Sequence, residues 1–220
     1  MTHNQVVSIP RHVVTVAKQC TTAWRFFDEW TRAGWNASCV DQIEMRRVLK
    51  RHGLLRGMNH PIHVADISRW LILYERGGAY VDSDVRPLFN NNFRFNDHID
   101  QSGLVMGLEA VVSPAEQRFY RIFRPRSMCM WAALARPGSP ILLELARYVH
   151  ARAQREWRSP EPWDEYIHKT TGPTAVTDFL LPRLKQVQPV HVFGCAQPHS
   201  NARKCRSQSW CVHTFQGSWK

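Results

Sequence analysis

The feature that most limits the fold is a helix pattern followed directly by a strand pattern. Over residues 63–75 the apolar positions recur at intervals of three and four, which predicts a helix packed on a sheet. Gly77 ends this pattern, and residues 78–81 predict a short strand. Because Asp82-Ser83-Asp84 follows at once, its carboxylates are expected at the C-terminal end of a strand, where open α/β sheets bind ligands.

Strand and helix patterns alternate along the rest of the chain. The predicted strands are residues 6–16, 104–108 with Glu109 at the end, and 189–193. The predicted helices are residues 24–33, 39–49, 141–155 and 173–181. This alternation predicts the α/β class, and a length of 220 residues fits a single domain over residues 1–220.

Two pairs of polar residues stand out in these elements. A turn is expected at Ser83, so that Asp82 and Asp84 approach one ion. Asp66 and Arg69 are three residues apart and share a face near the N-terminal end of the helix predicted over residues 63–75. An ordinary surface ion pair is the alternative interpretation of that second pair.

The chain is strongly basic, with a formal net charge of +11. Such a charge suits nucleic acid, an anionic membrane surface or a small phosphorylated ligand. The basic residues are dispersed and form neither a long run nor an RNA-binding signature, so no nucleic-acid partner is expected. A non-catalytic basic module that binds nucleic acid or acidic glycans remains the alternative function.

Hydropathy and cysteine content bear on the compartment. No stretch approaches the roughly 20 apolar residues that span a bilayer, and the N-terminal residues lack signal-peptide order. We expect a soluble chain without a membrane span, with the cytoplasm favoured and the Golgi lumen as the alternative if an anchor lies elsewhere in the protein. The six cysteines form no CxxC pair, which argues against structural zinc. Reduced thiols are the expected state, with a disulfide among Cys195, Cys205 and Cys211 as the alternative.

The Asp82-Ser83-Asp84 turn suits a hard divalent cation, Mn²⁺ or Mg²⁺. Such an ion neutralises a leaving diphosphate by bridging its oxygens. The tripeptide alone is a weak signal, because similar tripeptides often cap turns. Its surroundings make it specific.

Residues 65–84 resemble the "AD-x-x-RY … LY-x-x-GG-x-Y-x-D-x-D" block of the DXD sugar-binding glycosyltransferases, family 32. Shorter matching motifs are Ile9-Pro10-Arg11, Gly107-Leu108-Glu109, Thr171-Gly172-Pro173, and His213 with Gly217-Ser218-Trp219. That family includes initiation-specific α-1,6-mannosyltransferases and α-1,4-galactosyl- and N-acetylglucosaminyltransferases, and it is similar to the catalytic domains of large clostridial glucosylating toxins. The resemblance implies a GT-A-type nucleotide-sugar-binding fold, with a mixed central sheet flanked by helices, and retention of anomeric configuration.

The resemblance also implies roles at the metal. Asp84 would bind the ion directly, whereas Asp82 would contact it through water or hold the donor ribose. His213 would be a late ligand from the far end of the chain.

Further roles concern the donor and the acceptor. Asp66 and Arg69 would reach donor sugar hydroxyls, and Ser83 would also contact the donor. Ser218 and Trp219 would donate hydrogen bonds to the β-phosphate. The Gly77-Gly78 pair would pass closely beneath the nucleotide. Glu109 is the candidate acceptor-side residue, or the nucleophile of a double displacement.

The expected function is therefore a metal-dependent retaining glycosyltransferase. It would move a hexose from a nucleotide-diphosphate sugar to a hydroxyl of a glycan or glycolipid acceptor. Where the family usually has "I-H-Q-x-W", this chain has Val13-Val14-Thr15-Val16-Ala17, so the choice between a UDP-sugar and a GDP-sugar stays open. Residues 110–126 and 159–169 are the candidate acceptor loops.

Overall fold

Helices and strands alternate along the chain, and most of them flank or form one central sheet. The computed structural model describes residues 8–88, 99, 101–120, 122–155, 162–184, 195–196 and 210–214. The strands are β1 (His12–Val16), β2 (Asn36–Val40), β3 (Gly78–Val81), β4 (Val85–Pro87), β5 (Leu104–Val105), β6 (Leu108–Val111), β7 (Arg126–Met128), β8 (Ala132–Ala135), β9 (Cys195–Ala196) and β10 (Cys211–His213). The helices are α1 (Trp24–Arg32), α2 (Gln42–Arg51), α3 (Pro61–Arg76), α4 (Pro114–Tyr120), α5 (Pro140–Ala153), α6 (Trp163–Thr170) and α7 (Pro173–Leu180).

The central sheet is mixed and has the strand order β2-β1-β3-β8-β5. Strand β1 is parallel to both β2 and β3, whereas β8 is antiparallel to both β3 and β5. Two smaller sheets accompany it, β4-β10-β9 and β6-β7. The predicted α/β class, with a mixed central sheet and flanking helices, is confirmed.

The central strands are buried on both faces. On β3, Tyr80 belongs to one apolar cluster, whereas Ala79 and Val81 belong to the other, as strand alternation requires. The first cluster joins the sheet to α2, α3, α5 and α7. The second joins it to α1 and to a group of tryptophans: Trp30, Trp35, Trp131 and Trp210. Helix α3 is thus held against the sheet along the strand that leads to the two aspartates.

The passage from α3 into β3 depends on two glycines. Gly77 caps α3 with φ of 63°, and a Cβ there would lie 2.5 Å from Pro137 Cδ. Gly78 has φ of 87°, and a Cβ there would lie 2.3 Å from the carbonyl oxygen of His12 on β1. The resemblance implies a close approach to the nucleotide, but the contacts that explain both glycines here lie within the protein.

The predicted helix over residues 39–49 is wrong at its start. Cys39 and Val40 end strand β2, which pairs in parallel with β1, and α2 begins only at Gln42. The boundary is set by Asp41, whose side chain accepts the Glu44 backbone N–H at 2.9 Å as an N-cap.

Other boundaries also differ from the predicted ones. The predicted strand over residues 104–108 is two strands, β5 and β6, and Glu109 lies inside β6 rather than at a strand end. A break in the β6–β7 register falls between Leu108 and Ala110, so Glu109 lies at a bulge, a feature that redirects side chains. The predicted first strand begins only at His12, after Pro10, and the strand predicted over 189–193 lies outside the described residues.

Strands β7 and β8 and helix α6 were not predicted. Strand β8 consists of Ala132-Ala133-Leu134-Ala135, which lacks the β-branched residues that mark strands, yet it is central and fully buried. Helix α6 occupies most of the segment 159–169 that was expected to be an acceptor loop.

The expectation of reduced thiols is wrong for two of the cysteines. A disulfide joins Cys20, just before α1, to Cys39 on β2. Their Cα atoms lie 5.7 Å apart, which is within the usual range for a disulfide. Of the three late cysteines, Cys211 is a buried free thiol and Cys205 lies outside the described residues. Among the helices of the described residues, none has the length and apolarity needed to cross a bilayer.

Substitution of the second glycine tests the packing of β3 on β1. Gly78→Ala combines left-handed backbone strain with a clash against His12, so we expect it to lower the free energy of unfolding by at least about 3 kcal/mol. Gly53→Ala is the matched control, because Gly53 has φ of 70° and no atom lies within 4 Å of the position that a Cβ would take there. The Gly53→Ala variant should lose only the stability that the left-handed backbone costs a residue with a Cβ, about 1–2 kcal/mol. Urea denaturation of both variants measures the difference, and equal losses would contradict the assigned role of Gly78.

Candidate active site

Asp82 and Asp84 lie in a tight turn immediately after β3. The Asp82 backbone N–H donates to the carbonyl oxygen of Trp131 at 2.9 Å, and the Val85 N–H donates back to the carbonyl oxygen of Asp82 at 2.9 Å. Residues 83–84 form the turn itself, as predicted, and Ser83 is partly exposed there. The carboxylates are therefore held at the C-terminal edge of the central sheet.

His213 reaches this turn from the far end of the chain. Strand β10 pairs antiparallel with β4, which places His213 opposite Val85. The backbone N–H and the hydroxyl of Thr214 both donate to the carbonyl oxygen of Asp84, at 3.2 and 2.7 Å. The His213 imidazole is 8% exposed, and its Nε2 lies 3.4 Å from Asp84 Oδ1.

These three side chains form a candidate metal site. Ligand atoms of Asp82, Asp84 and His213 all lie within 4.8 Å of one another. Ligands on opposite sides of one Mg²⁺-sized ion are about 4 Å apart, so small side-chain movements would let all three bind the same ion. Two carboxylates and one imidazole suit Mn²⁺ or Mg²⁺ better than a thiolate-binding metal.

Arg69 connects helix α3 to the aspartate turn. Its Nη2 donates to Asp66 Oδ1 at 2.7 Å, and its Nη1 lies 3.4 Å from Asp82 Oδ1 and 3.0 Å from the carbonyl oxygen of Met130. The residues are buried, with Asp66 6% and Arg69 5% exposed. The shared helical face predicted for Asp66 and Arg69 is confirmed, and the surface ion pair that was its alternative is wrong.

Tyr80 completes this arrangement from the strand side. Its hydroxyl donates to Asp82 Oδ1 at 2.6 Å, and the Arg69 guanidinium lies 4.9 Å from the centre of its ring. Burial, despite the opposing charge of Arg69, raises the pKa of Tyr80 well above its usual value. The phenol therefore stays neutral and remains a donor to Asp82.

Asp66 is positioned by a residue far along the chain. The hydroxyl of Thr171, in the Thr171-Gly172-Pro173 turn before α7, donates to Asp66 Oδ2 at 2.7 Å. Burial raises the pKa of Asp66, while Arg69 and Thr171 oppose that rise. For Arg69, burial acts to lower the pKa, but the surrounding groups, Tyr80 foremost and then Asp66 and Asp82, raise it overall. The guanidinium is therefore permanently charged beside two acidic groups.

Glu109 lies on β6, close enough to Asp82 for the two carboxyl groups to interact electrostatically. Burial, and after it the charge of Asp82, raise the pKa of Glu109 to about 7, although the nearby Trp131 side chain opposes the rise. A carboxyl group with such a pKa is only partly ionised near neutral pH.

The structure therefore brings together most of the predicted site residues. Asp66, Arg69, Asp82, Asp84 and His213 form one connected set, whereas Ser218 and Trp219 lie outside the described residues. Two positioning residues were not assigned from the sequence, Tyr80 and Thr171. For Tyr80 a signal was available, because residues two apart on a strand project from the same face, which places its hydroxyl near Asp82. Nothing in the sequence pairs Thr171 with Asp66.

One family of known proteins is similar to the segment that contains the aspartate turn. Residues 16–102 match the family model described as "Glycosyltransferase sugar-binding region containing DXD motif". This segment of the chain is therefore similar to the DXD sugar-binding region of that glycosyltransferase family, as the sequence resemblance implied.

Two curated relatives share the name initiation-specific alpha-1,6-mannosyltransferase. The protein from Schizosaccharomyces pombe is 28% identical over 188 residues, which cover 73% of this chain and 47% of the relative. The protein from Candida albicans is 34% identical over 146 residues, which cover 60% of this chain and 37% of the relative. The chain thus spans less than half the length of these relatives.

Two solved structures are also similar. One is the PaToxG glycosyltransferase, with 14% identity and a TM-score of 0.46 over 80% of this chain and 70% of that one. The other is a glycosyltransferase involved in glycosylation of the major capsid of PBCV-1, with 14% identity and a TM-score of 0.45 over 94% of both chains.

The raised pKa of Glu109 predicts a pH-dependent loss of stability in metal-free protein. A glutamate ordinarily titrates near 4.5, so the contribution of Glu109 is complete below that pH and is lost as pH rises through about 7. Glu109→Gln removes this dependence. We therefore expect the stability of E109Q relative to wild type to increase by on the order of 2 kcal/mol between about pH 5 and about pH 8.

Urea denaturation in the presence of a chelator measures this effect. Glu144→Gln, which changes an exposed glutamate on α5, is the matched control and should show no comparable gain. A pH-independent difference between E109Q and wild type would contradict the raised pKa of Glu109.

Proposed function

We propose that this chain is a metal-dependent, retaining glycosyltransferase that uses a nucleotide-diphosphate sugar. It would move a hexose to a hydroxyl of a glycan or glycolipid acceptor. The observation that carries the proposal is the position of Asp82, Asp84 and His213, within 4.8 Å of one another and connected through Asp82 to the buried Arg69. Mannose is the first hexose to test, because both curated relatives are named as mannosyltransferases.

The hydrogen bonds of Asp82 support different roles for the two aspartates. Asp82 Oδ1 accepts from Tyr80 at 2.6 Å and faces Arg69 at 3.4 Å, so this oxygen is already engaged inside the protein. We therefore assign its second oxygen to a ribose hydroxyl or to a water on the ion. Asp84 and His213 would hold Mn²⁺ or Mg²⁺ directly. When bound, such an ion would neutralise the diphosphate as it leaves.

Asp66 and Arg69 are proposed to hold the donor sugar. Asp66 accepts one hydrogen bond on each oxygen, from Arg69 and from Thr171, and each carboxylate oxygen has a second lone pair for a sugar hydroxyl. Because Arg69 and Thr171 already hold its two oxygens, the Asp66 carboxylate would bind the sugar without moving. Ser83, partly exposed in the turn, and Ser218 and Trp219 in the C-terminal motif are proposed as further donor contacts.

Retention can arise by either of two routes. In a front-face route the bond from the anomeric carbon to the diphosphate breaks, the acceptor oxygen bonds to the same face, and a diphosphate oxygen takes the acceptor's proton. In a double displacement the Glu109 carboxylate would first bond to the anomeric carbon as the diphosphate leaves, and the acceptor would then replace it.

Binding of metal and donor gives the primary test. With Mn²⁺ present, a GDP-sugar or UDP-sugar at 100-fold its dissociation constant should stabilise the folded protein by about 2.7 kcal/mol. Asp84→Asn should abolish this stabilisation and donor hydrolysis, because it removes a direct ligand. Asp28→Asn is the control, since Asp28 is an exposed aspartate paired with Arg32 on α1. If no donor stabilises the protein even with metal, and D84N matches wild type, the proposed function is wrong.

The stereochemistry of transfer separates the mechanistic claims. NMR of the product should show the anomeric configuration of the donor, and an inverted product would exclude retention. Glu109→Gln should keep most of the turnover if the front-face route operates. A loss on the order of 10⁴-fold, as expected for removal of a catalytic nucleophile, would favour the double displacement instead.

A further inference from the structure

Four aromatic rings gather where helix α3 begins and α6 lies beside it. The Trp163 and Tyr166 rings are stacked with centroids 5.2 Å apart, and the His60 ring is 4.6 Å from Trp163. The His63 ring lies 5.6 Å from Tyr166. Tyr166 and His63 are each 4% exposed, whereas Trp163 is 37% exposed. Trp163 is therefore the surface of this cluster, and the other rings support it.

This cluster lies at the same edge of the sheet as the aspartate turn. Helix α3 leads through the Gly77 cap into β3, so its first turns are at the end of the sheet where β3 finishes. His60 is the N-cap of α3, and His63 and Asp66 follow at three-residue intervals, so successive members of this series are neighbours. At a rise of 1.5 Å per residue, His60 is about 9 Å from Asp66 along the helix axis.

Helix α6 connects the aromatic cluster to the proposed donor site. Trp163 and Tyr166 contact the start of α3, and Thr171, directly after α6, donates to Asp66 at 2.7 Å. The aromatic surface and the carboxylate proposed to hold the donor sugar are thus joined by one short helix. Trp163 lies eight residues before Thr171, about 12 Å along the axis of α6, so a ligand on Trp163 would lie near, but not on, a sugar held at Asp66.

His60 adds a directed polar group to this surface. Its Nδ1 accepts the Ile62 backbone N–H at 3.3 Å, so the neutral imidazole carries its hydrogen on Nε2. Burial lowers the pKa of His60, which favours this neutral form. An aromatic face beside an N–H donor matches a pyranose ring, whose C–H groups form an apolar face and whose hydroxyls accept hydrogen bonds.

We propose that Trp163 and His60 form the subsite that binds the acceptor sugar. Trp163 supplies the stacking surface, and His60 Nε2–H donates to an acceptor hydroxyl. This inference rests on the proposed function and assigns the acceptor side of the same site. Of the two segments considered for the acceptor, it selects α6 rather than α4.

Acceptor kinetics test the subsite, with methyl α-D-mannopyranoside and α-1,6-mannobiose as the probes. Trp163→Ala should raise the acceptor KM about tenfold or more, as loss of a stacking contact of roughly 1.4 kcal/mol would. Donor hydrolysis without acceptor should not change, whereas the melting temperature should fall somewhat in W163A, because the Trp163 ring also packs on Tyr166 and His60. Trp163→Phe should restore most of the acceptor affinity, because it keeps an aromatic face.

Phe119→Ala on α4 is the matched control, since Phe119 is an aromatic residue that is 80% exposed. It should leave the acceptor KM unchanged. The proposal is overturned if W163A transfers with the wild-type acceptor KM, if it raises the donor KM equally, or if F119A has the same effect as W163A.

A second measurement separates this inference from the proposed function. Saturation-transfer NMR of the two sugars with wild type and W163A, without any donor, should show binding that is lost in the variant. If sugars bind through Trp163 but no nucleotide sugar is hydrolysed, the proposed function fails and the carbohydrate subsite stands. If donor is hydrolysed but neither sugar binds wild type, the subsite fails and the proposed function stands.

Discussion

The buried guanidinium of Arg69 is the interaction on which the site depends. Its hydrogen bonds reach Asp66 on its own helix, Asp82 in the turn after β3, and the Met130 carbonyl just before β8. A charge buried in this way is tolerated only when it is paired and hydrogen-bonded, and removal of one partner typically costs about 3–5 kcal/mol. Helix α3, the aspartate turn and the segment before β8 are therefore held in one relative position.

The C-terminal strand β10 packs against the aspartate turn. Strand β10 pairs with β4, and Thr214 makes two hydrogen bonds to the Asp84 carbonyl, so His213 reaches the aspartates through backbone contacts. The Trp30 indole supports β4 from the opposite side by donating to the Val85 carbonyl at 3.1 Å. The candidate metal site thus combines residues close together in sequence with one that is distant, and it forms only when the chain has folded around it.

The parts of the fold and site that could be predicted are those with local signals. Helix α3 has an apolar stripe and a glycine cap, and the positions of Asp66 and Arg69 follow directly from helical periodicity. The turn at Ser83 follows from the chemistry of two carboxylates around one ion.

The parts that could not be predicted depend on long-range contacts. Strand β8 is rich in alanine, and its identity as a strand comes from pairing with β3 and β5 rather than from its own residues. The bulge at Glu109 is set by the β7 partner, and the Cys20–Cys39 disulfide by the approach of the segment before α1 to β2. The link between Thr171 and Asp66 joins residues 105 positions apart, which no local pattern encodes.

The central claim is that Asp82, Asp84 and His213 hold the divalent ion that binds the donor diphosphate. Anomalous diffraction from crystals grown with Mn²⁺ and either UDP or GDP tests it most directly. The account predicts one manganese peak between these three side chains, in contact with the diphosphate. A bound nucleotide whose manganese lies elsewhere, or whose diphosphate carries no metal, would contradict it.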